Sequence, residues 1–341
     1  MDVNSQASVG LVVIGRNEGE RLRMCLSSLP VAMPRVYVDS GSTDHSQATA
    51  KEHGFAVIEL SDLVGFTAAR ARNAGLGKLL KDFPNLTYVQ MIDGDCEIEA
   101  GWLAKAEAAL ECDPQMAVVF GRRRERFPQA SIYNLMCDDE WNVPIGLAKS
   151  CGGDAMFRVS SLVSAGGYPE EMIAGEEPDL CLRLRRSGWK VVRLAGEMTK
   201  HDAAIHSFRQ WWQRTRRSGH AFAELVDRHR FAAETTWIRQ LMSIFIWSGI
   251  QISALVAVSI WLAFRTDAPL YLSFILFAVL LIQFVRIVQR FQKAIKKERS
   301  LFHSAMFSLL LIFGKLAQIQ GVCDYLAKRA LRKNGVLIEY K

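Results

Sequence analysis

From Leu241 to Phe264 the chain runs LMSIFIWSGIQISALVAVSIWLAF, and from Pro269 to Val285 it runs PLYLSFILFAVLLIQFV, with no charged residue in either stretch. Each approaches the roughly 20 apolar residues that an α-helix needs to cross a hydrocarbon core of about 30 Å. The link Arg265-Thr266-Asp267 is short and polar. A pair of buried core helices is the bland reading, and a membrane hairpin with spans at about 241–264 and 269–288 is the favoured one. A chain of 341 residues then has room for one large domain at residues 1–230 ahead of a membrane region at 231–341.

Charge sets the expected orientation. Arg286, Arg290, Lys293, Lys296, Lys297 and Arg299 follow the second span, opposed only by Glu298, and such an excess marks the cytoplasmic side. The amino-terminal part starts MDVNSQASVG, without a basic segment or an apolar signal core, so it is expected in the cytoplasm, anchored to the inner (cytoplasmic) membrane. Seven scattered cysteines without paired spacing suit a reducing compartment. A third apolar stretch, Leu301 to Ile319, is broken by His303 and Lys315 and followed by Lys328, Arg329, Arg332 and Lys333. If it crossed, those cations would end outside, so an in-plane or re-entrant amphipathic helix at about 301–320 is expected. The net charge of +7 fits anionic lipid headgroups, and with no recognition module in view nucleic acid is not an expected partner.

The soluble part alternates short apolar runs with helical spacing. Val9–Ile14 is a strand, and the apolar positions 22, 25, 26 and 29 follow at helix period. Val36–Val38 leads into Asp39-Ser40-Gly41-Ser42-Thr43-Asp44, a turn passing into a helix. Residues 55–60, 88–92 and 117–120 are further strands, with helices at about 67–81 and 101–110. This β-α series predicts an α/β fold, a mixed, mostly parallel sheet covered by helices, with ligands at the carboxyl ends of the strands.

Polar groups gather at those ends. Arg16-Asn17-Glu18 follows the first strand, Asp39 the second, and Asp93-Gly94-Asp95 a later one. Asp93 and Asp95, two apart on an extended segment, would project to one side, where hard oxygen ligands hold Mg²⁺ or Mn²⁺ together with phosphate oxygens. A solvated turn is the bland alternative, and Asn17 or Asp39 could equally cap the helix that follows.

These blocks resemble glycosyltransferase family 2, nucleotide-sugar-dependent enzymes of the GT-A (Rossmann-like) fold. The resemblance runs through VVIGRNEGERLRMCLSSL, VYVDSGSTDHS, GFTAARARNAGL, VQMIDGDCEIEAGWL, GGDAMFRVSSLVSAGGYPEEMIAGEEPDLCLRLRRSGWKV and QWWQRTRRSGHAF, over about residues 8–225. It implies a nucleoside site at Arg16, Asn17, Glu18 and Asp39, with a UDP-sugar as the favoured donor. Arg72, beside Asn73 and Arg70, would face the diphosphate, Asp93 the ribose, and Asp95 a Mg²⁺ or Mn²⁺ ion. His201, with His206 as its competitor, would offer a further metal ligand. On the acceptor side it implies Gly153, Asp154 and Glu176, with Glu177 as general base where the family usually has Asp; Glu176 and Asp154 stay open for that role. Asp179 would start the following helix.

Residues 213–217, QRTRR, resemble the QxxRW segment of processive polysaccharide synthases, but Arg217 replaces the tryptophan. Trp211 and Trp212 stand close by, either as a substitute platform or as interfacial anchors. The expected reaction is therefore inverting transfer of one sugar from a nucleotide diphosphate sugar to a lipid-linked or glycan acceptor at the membrane, in cell-envelope or exopolysaccharide synthesis. Processive polymerisation, a catalytically silent nucleotide-sugar-binding membrane protein, and a sugar nucleotidyltransferase are the rivals. The last should carry a glycine-rich basic segment, of which GRNEGERL is a poor version.

Overall fold

A computed structural model describes residues 8–61, 65–265, 267–294 and 300–331. Thr266, Lys296, Lys297, Glu298, Arg299, Arg332, Lys333 and the first seven residues, which entered the orientation argument above, lie outside the described residues. The chain divides into two compact units at Ala204/Ile205.

The first unit opens with β1 (Val9–Gly15), α1 (Glu20–Ser27), β2 (Arg35–Asp39), α2 (Ser46–Glu52), β3 (Ala56–Glu59), α3 (Ala68–Asp82) and β4 (Tyr88–Asp93). β1 pairs in parallel with β2 and β4, and β2 with β3. The strands β1, β2 and β4 are buried almost throughout, as their largely apolar sequences require when helices cover both faces. Beyond come β5 (Cys96–Ile98), α4 (Trp102–Cys112), β6 (Met116–Glu125), α5 (Ile132–Glu140), β7 (Gly146–Leu147), β8 (Ala155–Arg158), α6 (Val159–Ser164), α7 (Glu176–Arg186) and β9 (Lys190–His201). Among the described residues the sheet has nine strands in the order β3-β2-β1-β4-β8-β6-β9-β5, with β7 on β9. The long ladders are parallel, β6 with β9 included, while β8 runs antiparallel between β4 and β6. This is the expected mixed, mostly parallel sheet covered by helices. β6 reaches Glu125, beyond the apolar run 117–120, because its polar half pairs with residues 197–201 of β9.

The second unit contains α8 (Phe208–His229), α9 (Thr235–Phe264), α10 (Asp267–Ala294) and α11 (Leu301–Ala330). A capping box, Ser207 with Gln210, starts α8. Among the described residues three helices, α9, α10 and α11, are long and apolar enough to cross a membrane by length and composition. The third is one continuous helix to Ala330, longer than the in-plane segment of about 301–320 expected from the sequence. Its charged second half is matched by α8: Arg216 Nε lies 2.5 Å from Asp324 Oδ2, Tyr325 donates to Asp227 at 2.6 Å, and Arg329 pairs with Asp227. The backbones touch where both helices carry glycine. A Cβ on Gly219 would lie 2.0 Å from the Gln318 carbonyl oxygen, and one on Gly321 1.9 Å from that of Arg216. This packing places α8 in the second compact unit, which starts at Ile205. Within α8, Trp211 is buried against Gly314 and the Trp212 indole donates to Gln320 at 2.9 Å.

Candidate active site

The register sets Ile14 beside Asp93 and Gly15 beside Asp39, so the loops after β1, β2 and β4 leave from one edge of the sheet. Asn17, at φ 55°, ties the first two together. Its side-chain oxygen accepts from the Thr43 amide at 2.7 Å, and its own amide donates to Ser42 Oγ at 2.9 Å. Glu18 pairs with Arg21 at 2.8 Å, and the Arg16 guanidinium lies 5.4 Å from the Phe66 ring centre. Asp39 is fully buried, accepting from the amides of Gly41 (3.1 Å) and Ser42 (2.8 Å), from Gln47 (3.1 Å) and from the Tyr37 hydroxyl (3.2 Å). Asp39 thus organises the turn that leads toward α2 without capping that helix, whose N-cap residue is His45.

Asp93 and Asp95 do not share one extended segment, contrary to the expectation from their spacing. β4 ends at Asp93, Gly94 and Asp95 form a turn, and β5 begins at Cys96. The chain must turn there because β4 lies between β1 and β8 whereas β5 pairs with β9. The Gly94 amide donates to the Ile14 carbonyl at 2.7 Å and closes the turn onto β1. The two carboxylates consequently face different partners.

Asp93 meets two guanidiniums. Arg72 Nη2, from α3, donates to its Oδ1 and Arg123 Nη2, from β6, to its Oδ2, each at 2.9 Å. Burial alone would raise the Asp93 pKa, but the charges of Arg72 and Arg123 override it and hold the carboxyl well below its usual range. Arg72 is itself buried, 5.4 Å from the Tyr168 ring centre; its Nη1 donates to Glu176 Oε1 at 3.0 Å and lies 3.1 Å from Glu177 Oε1. Both glutamates open α7 just after Gly175, where the helix dipole favours acidic groups. Arg123 Nε lies 3.1 Å from Asp154 Oδ2. Asp154, buried after Gly153, accepts from the Asp93 amide and from Thr199 Oγ1, both at 3.0 Å. Gly153 is needed here: a Cβ would fall 2.5 Å from Arg72 Nη2 and 2.6 Å from Asp93 Oδ2.

Two guanidiniums therefore meet four carboxylates. The surplus of negative charge shows at Glu177, whose pKa is raised to about 7 by burial and then by the neighbouring Glu176 charge, with Arg72 opposing. A carboxylate near neutrality accepts a proton at working pH.

His201 closes β9 and is held opposite Cys96 of β5 and Glu125 of β6. Its Nε2 lies 3.3 Å from Asp95 Oδ2, and its Nδ1 3.8 Å from Glu125 Oε2. Burial, followed by the charge of Arg123, lowers its pKa and favours the neutral ring, the form that ligates metal. Asp95, Cys96 and His201 bring ligand atoms within 4.8 Å of one another; Asp93, Cys96 and Asp154 form a second such group. A carboxylate oxygen with an imidazole nitrogen suits Mn²⁺ or Mg²⁺ sharing its remaining positions with phosphate. His206, the alternative ligand, belongs to the second unit, where its amide donates to Gln210.

Other residues singled out in the sequence do structural work. Arg70 donates to the carbonyls of Ser61 and Gly65. Asn73 exchanges bonds with the Tyr168 backbone, and Asp179 accepts from Arg183 one turn on. Sequence reasoning missed Arg123, Thr199 and Trp141, whose ring lies against both Arg123 (5.2 Å) and His201 (4.7 Å). The signal for Arg123 was the run Arg122-Arg123-Arg124 on a strand, where the middle residue points to the face opposite its neighbours.

Residues 11–145 match the family model described as glycosyl transferase family 2. Two curated relatives, each named pre-mycofactocin glycosyltransferase, come from two Mycobacterium tuberculosis strains; they are 26% identical over 249 residues, 66% of this chain and 49% of theirs. The chain thus spans about half the length of these relatives. Among solved structures, the mannosyltransferase PcManGT of Pyrobaculum calidifontis, in complex with GDP-Man and Mn²⁺, aligns with a TM-score of 0.54 at 16% identity, over 95% of this chain and 88% of that one.

Proposed function

We propose, from the premise that this chain carries a family 2 glycosyltransferase domain of GT-A fold, that it moves one sugar from a nucleotide diphosphate sugar to a hydroxyl of a membrane-associated, lipid-linked acceptor, with inversion at the anomeric carbon. The observation that carries this reading is the cluster at the end of β4. It joins an anionic pair aimed at different partners, two cations, and a carboxylate poised near neutrality.

In this reading Glu177 takes the acceptor proton as the acceptor oxygen attacks the anomeric carbon. The bond from that carbon to the diphosphate oxygen breaks, and the electron pair leaves with the diphosphate. Burial, then the charge of Glu176 opposed by that of Arg72, sets the basicity of Glu177. Arg72 and Arg123, each paired with Asp93, would stabilise the departing charge. Asp95 and His201 would hold a divalent ion, which when bound supplies further neutralisation of the diphosphate. Arg16, Asn17 and Glu18 border the nucleoside, uridine being the expected base, and Asp39 fixes the turn that faces it. Asp154 and Gly153 fix the floor on the acceptor side.

The apolar helices support an acceptor drawn from a lipid bilayer. Arg286, Arg290 and Lys293 at the end of α10 support a cytoplasmic catalytic unit in the inner membrane. Transfer of a single sugar is favoured over polymerisation because Arg216, in the QxxRW-like segment, is committed to Asp324, and Arg217 offers no aromatic platform. The test is nucleotide release and product formation over a panel of UDP- and GDP-sugars. Glu177→Gln should abolish turnover while retaining donor binding; near-normal turnover would refute the base assignment. Asp95→Asn should weaken Mn²⁺ affinity at least ten-fold by calorimetry, and unchanged affinity would refute the metal site.

A further inference from the structure

Within the helical unit, α9, α10 and α11 line a cavity of about 410 Å³. Two cations reach it, Arg290 from α10 and Lys315 from α11, together with the carboxamides of Gln240 and Gln283. Among the described residues no carboxylate lines it and neither cation is paired with one. Lys315 Nζ instead donates to the neutral Gln318 side chain at 3.0 Å. The remaining wall is apolar, with Trp247, Phe291 and Ile312 in it.

Lys315 interrupts the apolar stretch of α11, where a cation without a counter-charge is costly and marks a ligand or its path; Arg290, exposed near the end of α10, faces the same cavity. The chemistry here is amphiphilic: two positive charges and two amides for a headgroup, an indole, a phenyl ring and aliphatic groups for a chain. A volume of this order holds more than a phosphate and admits part of a hydrocarbon tail. Charge count selects the headgroup. A terminal phosphate carries about −1.5 to −2 near neutral pH, matching two cations, whereas a phosphodiester headgroup carries one charge.

We propose that α9–α11 form a binding site for a lipid ending in a monophosphate, with Arg290 and Lys315 on the phosphate oxygens and the chain along Trp247 and Ile312. The site rests on the membrane reading of these helices and is independent of the roles assigned to Glu177 and Asp95. The experiment uses the full chain in phosphatidylcholine nanodiscs and a fluorescent polyprenyl monophosphate, with unlabelled polyprenyl phosphate, polyprenol, phosphatidylglycerol and inorganic phosphate as competitors. Binding should saturate, be displaced by polyprenyl phosphate alone, and weaken about ten-fold or more in Arg290→Gln and in Lys315→Gln. The charge-preserving variants Arg290→Lys and Lys315→Arg should bind within about three-fold of wild type, separating lost charge from lost fold. Undiminished binding by the double glutamine variant, or equal displacement by polyprenol or phosphatidylglycerol, would overturn the proposal. Because binding is read without turnover, Glu177→Gln should bind the probe normally, so a failure of the transfer reading leaves this result intact.

Discussion

Glu176→Gln is the most informative single change, because it alters the charge beside the proposed base without touching that base. Glu176 and Glu177 both approach Arg72 Nη1, at 3.0 and 3.1 Å, so their nearest oxygens are no more than about 6 Å apart. At an effective dielectric near 20, two unit charges at about 6 Å repel by roughly 3 kcal/mol, equivalent to about two pH units. Partial solvation of Glu177, whose side chain is 15% exposed, reduces this. The substitution should lower the Glu177 pKa from about 7 by about one to two units. A base works only when deprotonated, so the acidic limb of the kcat/KM profile, centred near 7 in the wild type, should move to lower pH by that amount. Arg72 keeps Asp93 and Glu177 as partners, so the fold should survive, and thermal unfolding monitors this. An acidic limb that stays in place, or moves up, would refute the argument that surplus carboxylate charge sets the basicity of this site.

Three further outcomes follow from the same cluster. The folded pKa of Glu177 lies above its ordinary value of 4.5, so ionising it costs stability increasingly as pH rises from about 4.5 through 7; Glu177→Gln should therefore be more stable than wild type at pH 8, by up to about 3 kcal/mol, with little difference at pH 4, in denaturant titrations. Arg123→Met should destabilise by about 3–5 kcal/mol, since it strips a cation from buried Asp154 and from Asp93; a Tm within 2 °C of wild type, about the precision of such a comparison, would contradict this. Gly153→Ala puts a methyl within contact of Arg72 and Asp93 and should reduce kcat/KM at least ten-fold, equivalent to about 1.4 kcal/mol, read by a nucleotide-release assay.

Much of the first unit was legible because its elements are local. Val9–Ile14 and Tyr88–Ile92 read as buried strands from unbroken apolar runs, and 67–81 as a helix from its spacing; the structure has β1, β4 and α3 there. The carboxylates at the strand ends were visible for the same reason. Their partners were not. The spacing of Asp93 and Asp95 implied convergence, but a turn separates them, since β4 and β5 pair with different strands. Arg123 stood unmarked among three adjacent arginines, and only the β6 pairing aims it at Asp93 and Asp154. α8 read as the tail of the soluble domain because the resemblance ran through QWWQRTRRSGHAF, yet Asp324 and Asp227 tie it to α11.

The sequence by itself determined what depends on neighbours along the chain: apolar segments long enough for a bilayer, an alternating β-α series, and acidic groups at strand ends. Tertiary structure alone decided which charges meet, because Arg72, Arg123, Asp154, Thr199 and Glu177 come from five elements or their adjoining loops. The basicity of Glu177 is a property of that meeting. It arises from burial and from a count of charges in one place, neither of which is written in the order of residues.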